Sequence, residues 1–198
     1  LRKDNFSRCF QLIISKMNLE SLTKQLIQIE SISPNDAGCF DILESILEGM
    51  NFSCERISYK NVENLYAVIG SQGPTLCFLG HTDVVPTGPS DQWTYPPFSG
   101  ETHDDHIYGR GAADMKGNIC AFVEALGSFL KTEKLNYRIA ILLTSNEEGT
   151  PEDGFIDELL KELKSRGETI DYCLVGEPSS SLKVADTIRI GRRGSLSG

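Results

Sequence analysis

A histidine and several carboxylates follow three apolar runs of this sequence. The runs, with the residues after them, read "CFLGHTD", "AILLTSNEE" and "YCLVGEP". If each run is a strand and the strands are parallel neighbours, the polar residues lie at one edge of a sheet, where sites form in open α/β proteins. The residues expected at this edge are His81, Asp83, Glu147, Glu148 and Glu177, with Asp114 added from the loop before the next helix.

This residue set predicts a cation site. Carboxylates held close together repel one another and take up protons, and cations remove that cost. One imidazole with several carboxylates suits zinc or another divalent first-row metal ion. A carboxylate shared between two ions gives a two-metal hydrolytic site.

Each motif taken alone has an alternative interpretation. His81 and Asp83 face the same side of a strand and could be a metal ligand and the residue that orients it, or simply part of a polar loop. "NEEG" could begin a helix, where acidic side chains complement the dipole, and "GEP" could be a turn. The prediction depends on all of these motifs following successive strands.

Three other features of the sequence are predicted to lie outside this cation site or to play no part in binding phosphate. "GRGAAD" has the spacing of a phosphate-binding loop, but Asp114 occupies its sixth position and would repel a pyrophosphate. "HDDH" (His103 to His106) could be a ligand pair, yet it lies in a polar turn between possible strands and is assigned to the surface. Trp93 and Tyr95 are expected to anchor their Pro-rich loop, with pocket lining as the alternative.

The elements between the motifs alternate between strand and helix. Asn18 is expected to cap a helix through "LESLTKQLIQIE", and "CFDILESILEGM", "MKGNICAFVEALGSFLKTE" and "DGFIDELLKELKSRG" are further predicted helices. The predicted strands include "FSCERISY", "NLYAVIG" and the three apolar runs. This order predicts an α/β three-layer sandwich with a largely parallel, mixed sheet flanked by helices.

Composition excludes several classes of partner. The chain of 198 residues has a net charge of −9 and no basic stripe, so neither nucleic acid nor an anionic membrane is an expected partner. The six cysteines are scattered without a CxxC pair and are predicted to be reduced, which favours the cytoplasm. The first 17 residues resemble a signal peptide only weakly, because their apolar run is short and no cleavage site follows.

In order along the chain, "GHTDVVPTG", "YGRGAADMKG", "SNEEG" and "VGEPSS" resemble the motifs of a metal-dependent aminoacylase/dipeptidase family with two metal ions per site. Within that family, "QWTYPPFSG", "GRGAADMKG" and "GRRGSLSG" are most similar to the corresponding segments of its desuccinylases. The resemblance implies a cytoplasmic amide hydrolase of lysine and diaminopimelate biosynthesis that acts on a small N-succinylated diamino acid. An acetylornithine-type deacetylase or a dipeptidase of the same family is the alternative.

The resemblance also implies a role for each matching residue. Two divalent ions, zinc with cobalt as an alternative, would be held by His81, Asp114, Glu148 and Glu177. Asp114 would bridge the ions and be followed by a cis peptide to Met115. The catalytic residues would be Glu147 as general base and Asp83, which holds the second ring nitrogen of the metal-binding histidine. Arg192 and Arg189 would bind a substrate carboxylate.

The sequence departs from the family pattern at two places. Asn146 stands where an aspartate is expected, which predicts a modest change next to the base. The family's late histidine ligand and its lid and dimerisation domain have no counterpart, so the chain is predicted to be a fragment. Its expected parts are an N-terminal extension (1–17), a catalytic portion (18–187) and the start of the lid (188–198), in a protein that forms a homodimer when complete.

The departures keep other classes of function open. A chain without the late histidine could be a non-catalytic metal-binding remnant, although an intact Glu147 favours an enzyme. A nucleotide-binding α/β domain is disfavoured by the acidic strand ends. Residues 1–198 alone are expected to bind the second metal ion poorly and to be weakly active or inactive, since the late histidine is missing. They are also expected to aggregate, because part of the core would be exposed.

Overall fold

A five-stranded mixed sheet forms the centre of the fold. The structure is a computed structural model that describes residues 18–150 and 156–191. Its strands are β1 (Ser53–Tyr59), β2 (Val62–Ile69), β3 (Thr75–His81), β4 (Glu101–His103), β5 (His106–Tyr108), β6 (Arg138–Thr144) and β7 (Tyr172–Val175). The large sheet has the order β1–β2–β6–β3–β7. β2 is antiparallel to both its neighbours, whereas β6, β3 and β7 are parallel.

Helices cover both faces of this sheet, so the predicted three-layer α/β architecture is confirmed. The helices are α1 (Leu19–Ile27), α2 (Cys39–Gly49), α3 (Gly117–Thr132) and α4 (Ile156–Ser165). The first three pack on one face, where Phe40, Leu43 and Ile119 belong to the main apolar core. On the other face, Leu159 and Leu163 of α4 pack in a smaller core with apolar residues of β1, β2, β3 and β6.

Helix α1 begins where the sequence predicts and ends earlier. The Asn18 side chain caps it by accepting a hydrogen bond from the Glu20 N–H at 2.8 Å. The helix ends at Ile27, not at Glu30 as "LESLTKQLIQIE" suggested. The Leu26 carbonyl, which would accept from residue 30 in a longer helix, instead accepts from Lys116 Nζ at 2.8 Å. A distant lysine, together with the Ile29 N–H at 3.2 Å, therefore takes the place of the next helical hydrogen bond.

The long Gly- and Pro-rich loop contains local structure of its own. β4 and β5 form a hairpin whose turn residues, Asp104 and Asp105, have positive φ angles, a conformation that aspartate tolerates better than most residues. The structure thus places "HDDH" in an exposed turn, as predicted. His103 pairs with Glu101 at 2.9 Å and stacks on Tyr95 with ring centroids 3.9 Å apart.

The five cysteines among the described residues are not joined by a disulfide bond. Burial raises the pKa of the Cys39 and Cys120 thiols to about 11 each, so these side chains act as small apolar groups. Cys9 lies outside the described residues. Among the helices that the structure describes, none combines the length and the hydropathy needed to cross a membrane.

Candidate metal centre

The candidate site lies at the carboxyl ends of three neighbouring parallel strands. β3 is paired with β6 on one side and with β7 on the other. In this register His81 at the end of β3 is opposite Thr144, just before the "SNEEG" loop. Leu79 is opposite Val175, just before Gly176 and Glu177. The sheet order thus brings the three polar loops to one edge, as the sequence predicted.

His81 is the centre of the first group of possible ligands. Its Nε2 lies 3.1 Å from Asp114 Oδ1 and 3.4 Å from Glu177 Oε1. The imidazole is 1% exposed, whereas the two carboxylate side chains are 47% and 41% exposed. A buried nitrogen therefore faces two oxygen donors that remain open to solvent.

A second group shares the same histidine. One ligand atom each from His81, Glu147 and Glu148 lies within 4.8 Å of the others, as is also true of the first group. One imidazole and four carboxylates thus form two adjoining clusters. Imidazole nitrogen and carboxylate oxygen are both ligands of zinc and similar divalent ions, so this donor set fits the predicted metal ions.

The other ring nitrogen of His81 is held by Asp83, mainly through the main chain. Nδ1 lies 2.9 Å from the Asp83 carbonyl oxygen and 3.5 Å from the Oδ1 of its carboxylate. A hydrogen bond at Nδ1 fixes the ring and directs Nε2 towards the carboxylates. The sequence suggested the Asp83 carboxylate for this task, whereas the carbonyl makes the shorter contact.

The Asp83 carboxylate instead binds the loop after β6. Its oxygens accept hydrogen bonds from the Glu147 and Glu148 N–H groups, each at 3.1 Å, and from the Ser33 hydroxyl. Burial alone would raise the pKa of Asp83, but hydrogen bonds from His81, Ser33 and Glu147 lower it. This carboxylate is therefore ionised, and it holds the backbone of the loop after β6.

The electrostatics of the edge favour a positive charge between the carboxylates. Burial acts to lower the pKa of His81, but Asp83 and Glu177 outweigh it and raise that pKa to about 11. Burial, together with the Glu177 charge, raises the pKa of Asp114. Burial and the neighbouring carboxylates also raise the pKa of Glu147. A divalent cation bound between these carboxylates would also supply the positive charge that they favour.

The cis peptide bond expected after Asp114 is confirmed. The bond between Asp114 and Met115 is cis and lies in a kinked segment, Ala112–Lys116, that leads into α3 and in which both of these residues have non-helical φ and ψ angles. The Met115 side chain packs against Gly80 near the end of β3 and against Gly176 after β7. A Cβ atom added to Gly80 or Gly176 would come within 2.6 Å or 2.4 Å of Met115 Cε, so the two glycines permit this packing.

Sequence reasoning missed a group of residues in "SISPND" that holds the segment after β3. The Ser31 hydroxyl donates to the Thr82 carbonyl at 2.7 Å, and the Thr82 hydroxyl donates to Asp36 at 2.9 Å. Ser33 donates to Asp83. The sequence of this stretch predicts only a helix break, since nothing in its spacing relates it to His81, about 50 positions away.

Lys116 was also missed. Its side chain is fully buried, and Nζ donates to the Leu26 and Ile29 carbonyls, each at 2.8 Å. The ammonium thereby joins the end of α1 to the segment that carries Asp114. A lysine inside "GAADMKG" gives no sign of this role in the sequence, because both acceptors are main-chain atoms far away in the chain.

The remaining candidate residues lie elsewhere or are described in part. Arg189 is exposed, and Arg192 lies outside the described residues. The Asn146 side chain is buried and donates to the Thr150 carbonyl at 3.1 Å, a bond that an aspartate could not donate. Trp93 is an anchor, as expected, because its Nε1 donates to the Thr87 carbonyl at 2.9 Å.

Comparison with known proteins gives a consistent result. The chain is 49% identical over 178 residues to a succinyl-diaminopimelate desuccinylase of Alkalilimnicola ehrlichii, and 50% identical over 177 residues to one of Psychromonas ingrahamii. Each match covers 89% of this chain and 47% of the relative. The chain therefore spans about half the length of the curated relatives it matches.

Solved structures share the fold. Human carnosine dipeptidase 1 superposes with a TM-score of 0.70 at 24% identity, covering 86% of this chain and 40% of that protein. An M20 family metallo-carboxypeptidase from Sulfolobus solfataricus gives a TM-score of 0.67 at 25% identity, covering 78% and 36%. The profile of peptidase family M20/M25/M40 matches residues 77–191, which include every described strand end of the candidate site. The chain belongs to peptidase family M20/M25/M40.

Proposed function

We propose that the protein is a metal-dependent amide hydrolase that cleaves N-succinyl-LL-2,6-diaminopimelate to succinate and LL-2,6-diaminopimelate, a step of lysine and diaminopimelate biosynthesis in the cytoplasm. The observation that carries this proposal is the convergence of His81 with four carboxylates, three that follow parallel strands and Asp114 from the segment before α3. The choice of substrate is supported by relatives at 49% and 50% identity that are named for this activity.

The residues proposed to hold two divalent ions, zinc or alternatively cobalt, all belong to the two clusters around His81, and their roles are those that the resemblance to the family implies. His81 and Glu177 would bind one ion, Glu148 the other, and Asp114 both. Bound divalent ions supply a water of lowered pKa and polarise the substrate carbonyl.

Glu147 is the proposed general base. Its N–H group is bound by Asp83, so its backbone is fixed while its carboxylate faces the ligand cluster. The raised pKa of Glu147 brings it nearer to neutrality, which suits a group that must both take up and release a proton. Glu147 would accept a proton from the attacking water and donate it to the amine nitrogen of the leaving diaminopimelate.

The other half of the complete protein is proposed to finish the site. Relatives about twice as long as this chain leave room for a late histidine ligand and for a lid and dimerisation domain that begins near residue 188. Residues 18–187 would then be the first part of the catalytic domain, and the protein would act as a homodimer. Arg189 and Arg192, next to this boundary, are the proposed contacts for a substrate carboxylate.

The proposed function is tested by loading the metal-free complete protein with Zn²⁺ and measuring release of succinate from N-succinyl-LL-2,6-diaminopimelate. N-acetylornithine and a dipeptide serve as competing substrates, and Glu147→Gln is the matched inactive control. Preferred cleavage of N-acetylornithine or of the dipeptide would assign the chain to another branch of the family. Binding of zinc without hydrolysis of any substrate would identify a non-catalytic remnant.

A further inference from the structure

Two of the proposed ligands lie on loops that must be held in register with each other. Asp114 precedes α3, and Glu177 follows β7. Their side chains are 47% and 41% exposed, so packing around the carboxylates does not immobilise them. Apart from their shared contact with His81 Nε2, their separation therefore depends on the main chain that carries them.

The side chain of Asn118, in the first turn of α3, contacts both loops. Its Nδ2 donates to the carbonyl of Gly176 at 2.6 Å and to the carbonyl of Ala113 at 3.3 Å. Gly176 immediately precedes Glu177, and Ala113 immediately precedes Asp114. One amide group thus uses its two hydrogens to join the peptides directly before two ligand residues.

The Gly176 peptide is fixed from the other side as well. Its N–H donates to the Leu79 carbonyl at 2.9 Å, which ties it to β3 two residues before His81. A side chain at this position would collide with Met115 and Phe78, so the backbone approaches closely. The apolar contacts set the distance between the layers, whereas hydrogen bonds are directional and set the orientation of the peptide.

We propose that Asn118 is a positioning residue, which sets the separation of Asp114 and Glu177 and thereby the affinity of the site for the metal ion that these two residues would share with His81. The inference rests on the proposed two-metal function. Asn118 is not one of the proposed metal ligands, and it acts through the backbone of the two loops. Partners that orient metal ligands typically change metal affinity by roughly 10- to 100-fold, and a contact one peptide removed is expected at the low end, about tenfold.

The test compares Asn118→Leu with Gln25→Leu in the complete protein. Leucine has nearly the shape of asparagine and donates no hydrogen bond. Gln25 is an exposed helical amide that donates to Ser21 within α1, so its replacement controls for the loss of a side-chain amide away from the site. Zinc affinity is measured by competition with a chromogenic chelator, and the visible spectrum of the Co²⁺-loaded protein reports the geometry of the site.

Asn118→Leu is expected to bind zinc about tenfold more weakly than Gln25→Leu, with an altered Co²⁺ spectrum. Equal affinities and identical spectra would overturn the role of Asn118 and leave the proposed function intact. Failure of the unaltered protein to bind zinc would overturn both. If Asn118→Leu does not fold, Asn118→Ser, which keeps one short donor unable to reach both carbonyls, is measured under the same criteria.

Discussion

The Asp83 carboxylate accepts a hydrogen bond from the backbone N–H of Glu147, with the two atoms 3.1 Å apart. The bond joins the loop after β3 to the loop after β6. The same carboxylate accepts from the next N–H group, that of Glu148. Since the main chain of Asp83 also holds His81 Nδ1, one residue orients the central imidazole and the loop that bears the proposed base.

Asp83→Asn is expected to lower kcat by roughly 10- to 100-fold. The substitution keeps one acceptor oxygen but turns an NH2 group towards a backbone N–H or the Ser33 hydroxyl. Because two donors then face each other, the loop that bears Glu147 and Glu148 must move. The matched control is Asp105→Asn, in the exposed turn of the β4–β5 hairpin, where asparagine tolerates the positive φ angle. Equal kcat values for the two variants would contradict a role of Asp83 in holding the loop.

Glu147→Gln is expected to lose activity but keep bound zinc, whereas Glu148→Gln is expected to lose both. Removal of a general base lowers kcat by about 100-fold or more without a change in bound metal, so the Glu147 variant should retain the zinc content of the unaltered protein. The Glu148 variant should lose zinc as well as activity, because a ligand is removed. Metal analysis beside steady-state kinetics checks both, and loss of zinc from Glu147→Gln would show that Glu147 is itself a ligand.

The strand ends were predictable from the sequence because each carries its own local signal. Apolar runs that stop at His81, at "SNEE" and at "GEP" can be recognised without any knowledge of their neighbours, and the α/β alternation places them side by side. Ser33, Asp36 and Asn118 carry no such signal, since they act through hydrogen bonds to segments about 50 to 60 positions away. The predicted end of α1 was wrong for the same reason, because the Leu26 carbonyl near its end accepts from a lysine about 90 positions later.

Lys116→Met is expected to lower the free energy of unfolding by about 1–3 kcal/mol. Methionine fills a similar volume but leaves the buried carbonyls of Leu26 and Ile29 without the donor that Nζ provides. Burial lowers the pKa of Lys116, so the substitution also relieves the cost of a buried charge, which keeps the expected loss moderate. Urea unfolding measures the difference.

The control for this variant is Lys24→Met, which removes an exposed ion pair with Glu20 on α1. Solvent screens such an exposed pair, so it contributes little to stability. If Lys116→Met proved as stable as Lys24→Met, the two hydrogen bonds to α1 would not contribute to the stability of the fold.

Removal of metal with a chelator is expected to lower the melting temperature of the complete protein, and Zn²⁺ is expected to restore it. Without cations, Asp114 and Glu177 lie together at His81 Nε2, and Glu148 belongs to the adjoining cluster. Repulsion among these carboxylates weakens the edge of the sheet. Binding to the folded state alone stabilises it by about 2.7 kcal/mol when zinc is present at about 100 times its dissociation constant. Glu177→Gln should remove much of this zinc-dependent shift, whereas Glu101→Gln, which changes an acid paired with His103 in the β4–β5 hairpin, should keep it. A zinc-dependent shift of the same size in both variants would mean that Glu177 does not bind the ion.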